Sequence, residues 1–265
     1  MKIENKTVLI TGASSGLGRE VALSLAKRNN NLIVTARRDA LLQTLKAEIE
    51  ALGSRCLAVA ADSIDTAQAA NVIEAGIRAF GRIDVALLNA GGGKALFVTQ
   101  GTVAEILNQM RTNYDTLVNY LYPLIDHMKE RGGGTIAYTS SPAGYFGLPK
   151  AGPYSAAKAA GRTLFDSTRM ELAKTPVKLV ALYPGFTYTE GMDANEVPVK
   201  ALIIERDRAA REMIAAMEAG KTHHMFPKRI VLLMSLARLL PEPVRRRVLG
   251  MNVDLQDGKK QPVVR

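Results

Sequence analysis

The chain has 265 residues, 47% of them hydrophobic, which is long for a minimal domain and short for two well-developed ones; one large α/β unit with a sizeable core is expected. The single cysteine, Cys56, excludes an internal disulfide and fits a reducing, cytoplasmic setting; no signal peptide is expected ahead of the first strand, and no apolar run approaches the roughly 20 residues that span a bilayer. Of the net charge of +10, residues 227–265 supply +6 (9 Lys+Arg against 3 Asp+Glu) and the first 226 residues +4 (26 against 22), so the basic character belongs mainly to the tail. With 5% aromatic residues and no nucleic-acid motif, nucleic acid is not an expected partner.

Taken in order, Thr7-Val8-Leu9-Ile10-Thr11 reads as a buried strand. It breaks at Gly12-Ala13-Ser14-Ser15-Gly16-Leu17-Gly18, and a helical pattern follows through Val21, Ala22, Leu25 and Ala26. Strand, glycine-rich turn and helix is the context of a phosphate site, where the glycines admit a pyrophosphate to the backbone and the helix start offers free N–H groups. The spacing is G-x-x-x-G-x-G rather than the commoner G-x-G-x-x-G.

Asn31–Ala36 reads as the second strand, and its end is where a dinucleotide fold meets the adenosine ribose. An acid there would favour NAD; this chain places Arg37 and Arg38, which suit the 2′-phosphate of NADP. The alternative is that both arginines are solvated loop charges and the cofactor is NAD. Asp39 is expected to cap a helix starting at Ala40. Residues 40–52 read as helix, 55–61 as strand, 65–80 as helix and 83–89 as strand. Asp62 and Ser63 follow the third strand; Asp62 either accepts from an adenine amino group or caps the next helix. The fourth strand ends at Asn89-Ala90-Gly91-Gly92-Gly93, at the edge where open parallel sheets bind ligands.

Residues 102–130 read as one long helix containing Asn113, which either marks a kink or polar network or is solvated. After Gly132-Gly133-Gly134, the strand Thr135–Thr139 delivers Ser140 and Ser141 to the same edge. The helix over 153–174 carries Tyr154 and Lys158, one turn apart on one face. Such a pair is either a chance feature of a surface helix or the centre of proton chemistry. In the second case a unit charge about 4 Å away, worth roughly 4 kcal/mol at an effective dielectric of about 20, would lower the phenol pKa by about three units. The sixth strand, Val177–Tyr183, ends in Pro184-Gly185. With each special turn after a strand, right-handed crossovers gather them on one rim of a parallel sheet of about seven strands, Rossmann-like and doubly wound.

In the motifs Thr11-Gly12-x-x-x-Gly16-x-Gly18, Asn89-Ala90-Gly91, Asn113, Ser141, Tyr154-x-x-x-Lys158 and Pro184-Gly185, residues 3–226 resemble a single-domain short-chain dehydrogenase/reductase. The resemblance implies a nicotinamide cofactor, reversible hydride transfer between an alcohol and a carbonyl, a small-molecule substrate and a homodimer or homotetramer. It implies Tyr154 as the acid–base, Lys158 as the group that lowers its pKa and holds the nicotinamide ribose, and Ser141 as the donor to the substrate oxygen. Asn113 would hold a water in a proton relay. Cofactor contacts would come from Gly12, Ser14, Ser15, Gly16, Leu17, Gly18, Arg37, Arg38, Asp62, Ser63, Asn89, Ala90 and Gly91, then from Tyr154, Lys158, Pro184, Gly185 and Thr187. Thr189 would orient the nicotinamide carboxamide. A non-catalytic NADP-sensing or scaffold protein is the reading from another class, and the intact Asn113, Ser141, Tyr154 and Lys158 set argues against it.

Beyond Gly185, residues 186–200 read as a loop over the pocket, 201–218 as helix and 222–226 as a seventh strand, with His223 and His224 ordinary strand residues rather than metal ligands. The catalytic domain is expected to end at 226, with 227–265 as a basic helical extension similar to those of hydroxysteroid-dehydrogenase-like members. Its stretch 228–249 either packs on the body or a partner subunit, walls an apolar substrate pocket, or lies on an anionic membrane surface. Residues 251–265 are polar and expected to be mobile.

Overall fold

Consecutive residues of an extended strand point to opposite faces, so a strand buried on both sides must be apolar at every position. Thr7–Thr11 (β1) meets that demand at Val8, Leu9 and Ile10, with a hydroxyl-bearing threonine at each end, and all five residues are buried. In the computed structural model, which describes residues 1–93, 95–188, 203–244 and 247 (of Arg238 only the backbone), β1 is followed by α1 (Gly16–Ala26), β2 (Asn31–Ala36), α2 (Asp39–Ala51), β3 (Arg55–Ala60), α3 (Thr66–Phe80) and β4 (Val85–Leu88). Then come α4 (Val103–Asn113), α5 (Asp115–Glu130), β5 (Gly134–Thr139), a short 3₁₀ turn (Pro142–Tyr145), α6 (Gly152–Glu171), β6 (Val177–Pro184), α7 (Arg206–Ala219), β7 (His223–Phe226) and α8 (Lys228–Leu239).

The strands form one parallel sheet in the order β3-β2-β1-β4-β5-β6-β7. Parity sorts the core. Val8 and Ile10 of β1 pack with Val21, Leu25, Leu45 and Met213 from α1, α2 and α7, while Leu9 between them packs with Val72, Leu121 and Leu124 from α3 and α5. The winding direction reverses between β1 and β4, which opens a crevice at their carboxyl ends.

The long helix expected over 102–130 is two helices. Thr102 and Glu105 form a capping box at the start of α4, and the run breaks at Tyr114 (φ −111°, ψ −53°), directly after Asn113. Asn113 is wholly buried, so the solvated alternative fails and the kink with a polar network is what the chain builds. Asp39 does not cap α2: Arg38 occupies that position, and the Asp39 carboxylate accepts from Gln43 Nε2 (3.0 Å) within the first turn. Nor does Asp62 cap α3. Asp65 does, accepting from Ala67 N (2.9 Å) and Gln68 N (3.0 Å).

His223 Nε2 meets Asp166 (3.0 Å) and His224 Nε2 meets Glu212 (2.9 Å), so the two imidazoles serve different carboxylates. The helix expected from 201 runs from Arg206; residues 189–200 of the expected loop and 251–265 of the tail lie outside the described residues.

His127, in the last turn of α5, accepts a hydrogen bond at Nε2 from Ile83 N (3.1 Å), which requires the neutral ring. Burial, aided by Arg131, holds its pKa below the usual 6.5. The unfolded chain therefore binds this proton first as pH falls, and the stabilisation present above about pH 6.5 is lost on acidification below it. In urea melts, His127→Gln should show a flatter dependence of midpoint on pH across that window; an unchanged slope would refute the assignment.

Candidate functional site

The crevice is built from backbone first. Thr11 Oγ1, at the end of β1, accepts from both Asn89 N (2.9 Å) and Ala90 N (3.0 Å), tying the ends of β1 and β4 together where the sheet reverses. A Cβ at Gly12 (φ +65°) would sit 2.9 Å from Ala90 Cα, and one at Gly18 would sit 2.5 Å from the Gly12 carbonyl oxygen. No side chain fits at either position, so the turn keeps a backbone-lined cradle at the start of α1. That helix has no side-chain cap from Ser15 and no acidic residue in its first turn. Its N–H groups and dipole thus face the crevice with no carboxylate against them.

Arg38 folds back over this turn, donating to Ser14 Oγ through Nη2 (2.9 Å) and Nε (3.3 Å) and to Ser15 Oγ through Nη2 (2.7 Å). Arg37 beside it is exposed. Across the rim, Asp62 is half-buried and its Oδ1 accepts from Ile64 N (3.2 Å); Ser63 is buried, its carbonyl accepting from Asn119 Nδ2 (3.0 Å). Leu17 and Gly16 begin α1 at the floor of the cradle.

On the other side of the reversal, the chain after Ala90 is held by Asn113. Its Oδ1 accepts from Gly92 N (2.8 Å), and its Nδ2 donates to Gly92 O (2.7 Å) and Gln109 O (2.9 Å). The Asn113 side chain is thus committed to backbone, where it staples the turn after β4 to the α4–α5 break. Gly91 lies between Asn113 and Lys158: a Cβ there would be 2.8 Å from Asn113 Oδ1 and 3.3 Å from Lys158 Nζ.

β5 delivers Ser140 and Ser141. Ser141 caps the 3₁₀ turn, its Oγ accepting from Ala143 N (3.2 Å), and its hydroxyl stands close enough to the Tyr154 phenol to favour the phenolate. α6 begins with Gly152 and Pro153, residues suited to a first turn, and places Tyr154 and Lys158 on the face toward β5. Lys158 is 3% exposed, and its Nζ donates to Thr139 O (2.9 Å). The ammonium lies 5.1 Å from the Tyr138 ring centroid and 5.7 Å from that of Tyr154.

The expected lowering of the Tyr154 pKa is not what these groups produce. Burial pushes the phenol up, and the Ser141 hydroxyl pulls against that. The same burial pushes Lys158 down to about 7, so near neutrality the cation whose field was to lower the phenol is itself only partly charged.

β6 ends at Pro184-Gly185, where Gly185 N donates to Phe226 O (2.8 Å) and a Cβ would fall 2.9 Å from Ile230 Cγ1 of α8. Thr187 donates from Oγ1 to Gly185 O (3.2 Å) and bridges Ile204. Thr189 lies outside the described residues. Leu96 pairs with Ala151 just before α6, its N–H on Lys150 O (2.7 Å). Tyr138 and the Thr139 carbonyl belong to this site and were missed by sequence reasoning, because inside an apolar strand they read as core. The hydroxyl of Thr11 left a signal: a Thr closing a buried strand beside a glycine turn.

The glycine cradle, the uncapped helix start and the paired arginines fit the phosphates of a dinucleotide, and buried Lys158 with half-buried Tyr154 and Ser141 lies beyond Gly91 on the same edge. A family model described as short chain dehydrogenase matches residues 6–198. A protein of Myxococcus xanthus described as an uncharacterized oxidoreductase is 32% identical over 243 residues, covering 90% of this chain and 94% of that one. An Arabidopsis thaliana protein described as 11-beta-hydroxysteroid dehydrogenase-like 4A is 29% identical over 249 residues, covering 91% of this chain and 83% of the relative. The solved structure of a short chain dehydrogenase/reductase from Burkholderia phymatum in complex with NAD is alike in fold, with a TM-score of 0.82 at 22% identity over 90% of this chain and 94% of that one.

Proposed function

This chain belongs to the short-chain dehydrogenase/reductase family of NAD(P)-dependent oxidoreductases, and on that premise we propose that it interconverts a carbonyl and a secondary alcohol, with NADP preferred and Tyr154 as general acid–base. The observation that carries the reading is the group itself: a half-buried phenol beside the Ser141 hydroxyl, on the helix turn before a buried ammonium fixed to the Thr139 carbonyl. In reduction, Tyr154 gives its proton to the carbonyl oxygen; in oxidation it takes the alcohol proton. Ser141 donates to the same oxygen and stabilises the charge that develops there. Lys158 restrains the phenolate charge and, with the backbone around Gly91 and Pro184-Gly185, holds the ribose end of the cofactor. The bound nicotinamide supplies or accepts the hydride.

Because burial pushes Lys158 down to about 7, its charge is half present there, nearly complete a pH unit below and lost as pH rises above. Carbonyl reduction by the free enzyme therefore falls on the alkaline side. Leu96 and Val98, set against the first turn of α6, and Phe186 and Tyr188, which follow Gly185, give the rim an apolar lining that favours an apolar substrate.

NADP preference rests on Arg38 over the cradle and Arg37 beside it. The nearest acid, Asp39, is turned into α2 rather than toward a ribose. Arg37→Asp should weaken NADPH relative to NADH by roughly 10- to 100-fold, the worth of a charge-assisted contact. Equal weakening of both, followed by fluorescence titration, would remove the assignment. Tyr154→Phe should lower turnover by about 10²–10⁴-fold while NADPH binding stays within a few-fold. Unchanged turnover of a carbonyl panel would sink the acid–base role.

A second proposal concerns α8, which we read as lying on an anionic membrane surface. Ile230, Met234 and Ala237 are buried against the body, while Leu232 (62% exposed), Leu236 (53%) and Leu239 (81%) form an outward stripe at i, i+4 and i+7. Lys228 and Arg229 open the helix, and residues 227–265 carry a surplus of +6 in sequence. No helix among the described residues is long and apolar enough to cross a membrane, so the expected contact is superficial. The wild type should co-sediment with phosphatidylserine vesicles at low salt, and a variant with all three leucines replaced by Ser should not. Identical co-sedimentation, or a dimer that the substitutions dissolve, would assign the stripe elsewhere.

A further inference from the structure

We infer that Tyr138 is a positioning residue for Lys158: its ring, seated in a notch of α6 at Gly161, is the platform that holds the buried ammonium in place and in its charged form. The inference deepens the reading above and rests on it for the catalytic importance of Lys158.

Lys158, Gly161 and Phe165 lie at i, i+3 and i+7 of α6, one stripe, and all three meet Tyr138 of β5. Lys158 Nζ is 5.1 Å from the Tyr138 ring centroid, and the Phe165 ring packs at 5.6 Å with a 48° tilt. A Cβ at Gly161 would fall 2.5 Å from the Tyr138 hydroxyl, so α6 carries no side chain where the phenol must pass. Tyr138 is 1% exposed, yet its hydroxyl makes no aligned hydrogen bond; burial and then the Tyr154 phenol push its pKa up, and Ser140, whose own Oγ is likewise unpartnered, pulls only weakly against them. The hydroxyl therefore does not explain the residue, and the ring face toward the ammonium does.

An ammonium has three donors, and the hydrogen bond seen here is to one neutral carbonyl, Thr139 O. The other groups facing it are the Tyr138 ring from β5, the Tyr154 ring on its own helix, and Gly91 with the Asn113 amide behind it. Among the described residues no carboxylate pairs with Lys158, and burial is what lowers its pKa. The face of an aromatic ring attracts a cation, and does so most strongly in a desolvated site. An aliphatic residue could fill the same core position but would leave the cation to burial alone.

The test uses the full chain, free of ligand, labelled with ¹³C at lysine Cε. Lys158 is assigned by the signal lost in Lys158→Met and titrated by NMR in the wild type, Tyr138→Phe and Tyr138→Met, with Tyr138→Leu as a second non-aromatic variant should Met disturb the fold. Phe keeps the ring and should titrate with the wild type. Met or Leu should titrate roughly one pH unit lower, and the alkaline fall of kcat/KM for carbonyl reduction should move with it. A Met or Leu variant titrating with the wild type overturns the inference. So does a Phe variant displaced as far as Met, because the hydroxyl would then be the active part. The titration needs neither substrate nor cofactor, so an inert protein that still shows the shift rejects the oxidoreductase reading alone.

Discussion

A cation sealed from water must be compensated where it lies, and that requirement at Lys158 governs the architecture around it. Its hydrogen bond to Thr139 O can form only if β5 ends where it does and α6 crosses at the matching height. A Cβ at Gly144 would stand 3.0 Å from the Lys158 carbonyl carbon and oxygen, so the 3₁₀ turn that follows Ser141 rests on the same helical turn. Gly91 approaches the ammonium from the far side of the sheet reversal. Three separate crossings are thus registered against one residue, two of them at its ammonium. Compensation comes from a neutral carbonyl and aromatic faces rather than a counter-charge, so nothing offsets the burial that pushes its pKa down to about 7.

The sheet supplies the rigidity for this registration. β1 and β4 are bound along their ladder and again at their ends through the Thr11 hydroxyl, so the two halves of the crevice cannot drift apart. Asn113 performs the equivalent task one layer out. A helix break would ordinarily expose unsatisfied backbone, but this side chain meets Gly92 and Gln109 with three hydrogen bonds while fully buried. The polar face of α4, made of Gln109 and Asn113, is accordingly its buried one.

Much of the fold was legible because buried parallel strands must be apolar throughout, and runs such as Val8-Leu9-Ile10 admit few other readings. The glycine turn was legible for the same kind of reason: two of its positions tolerate no Cβ. The break at Tyr114 was not, since Leu117 and Leu121 continue the apolar rhythm of a single helix across it. Asp65 and Asp62 are equivalent as letters, and only the path of the chain decides which one reaches the free N–H groups of α3. The direction of the Tyr154 shift failed for a deeper reason: an i, i+4 spacing gives a distance between charges but not their solvation, and solvation set the sign.

Gly185 is where the chain's last described helix touches its chemistry. With no side chain there, Ile230 of α8 closes directly on the backbone of the turn that leaves β6, and Gly185 N is tethered to Phe226 O just before that helix. The outer and inner faces of α8 are therefore two ends of one lever only a helix diameter long. Were its leucines seated on another surface, the free energy gained would bear on the Pro184-Gly185 turn, and by reciprocity a ligand that tightened that turn would alter how firmly the helix adhered.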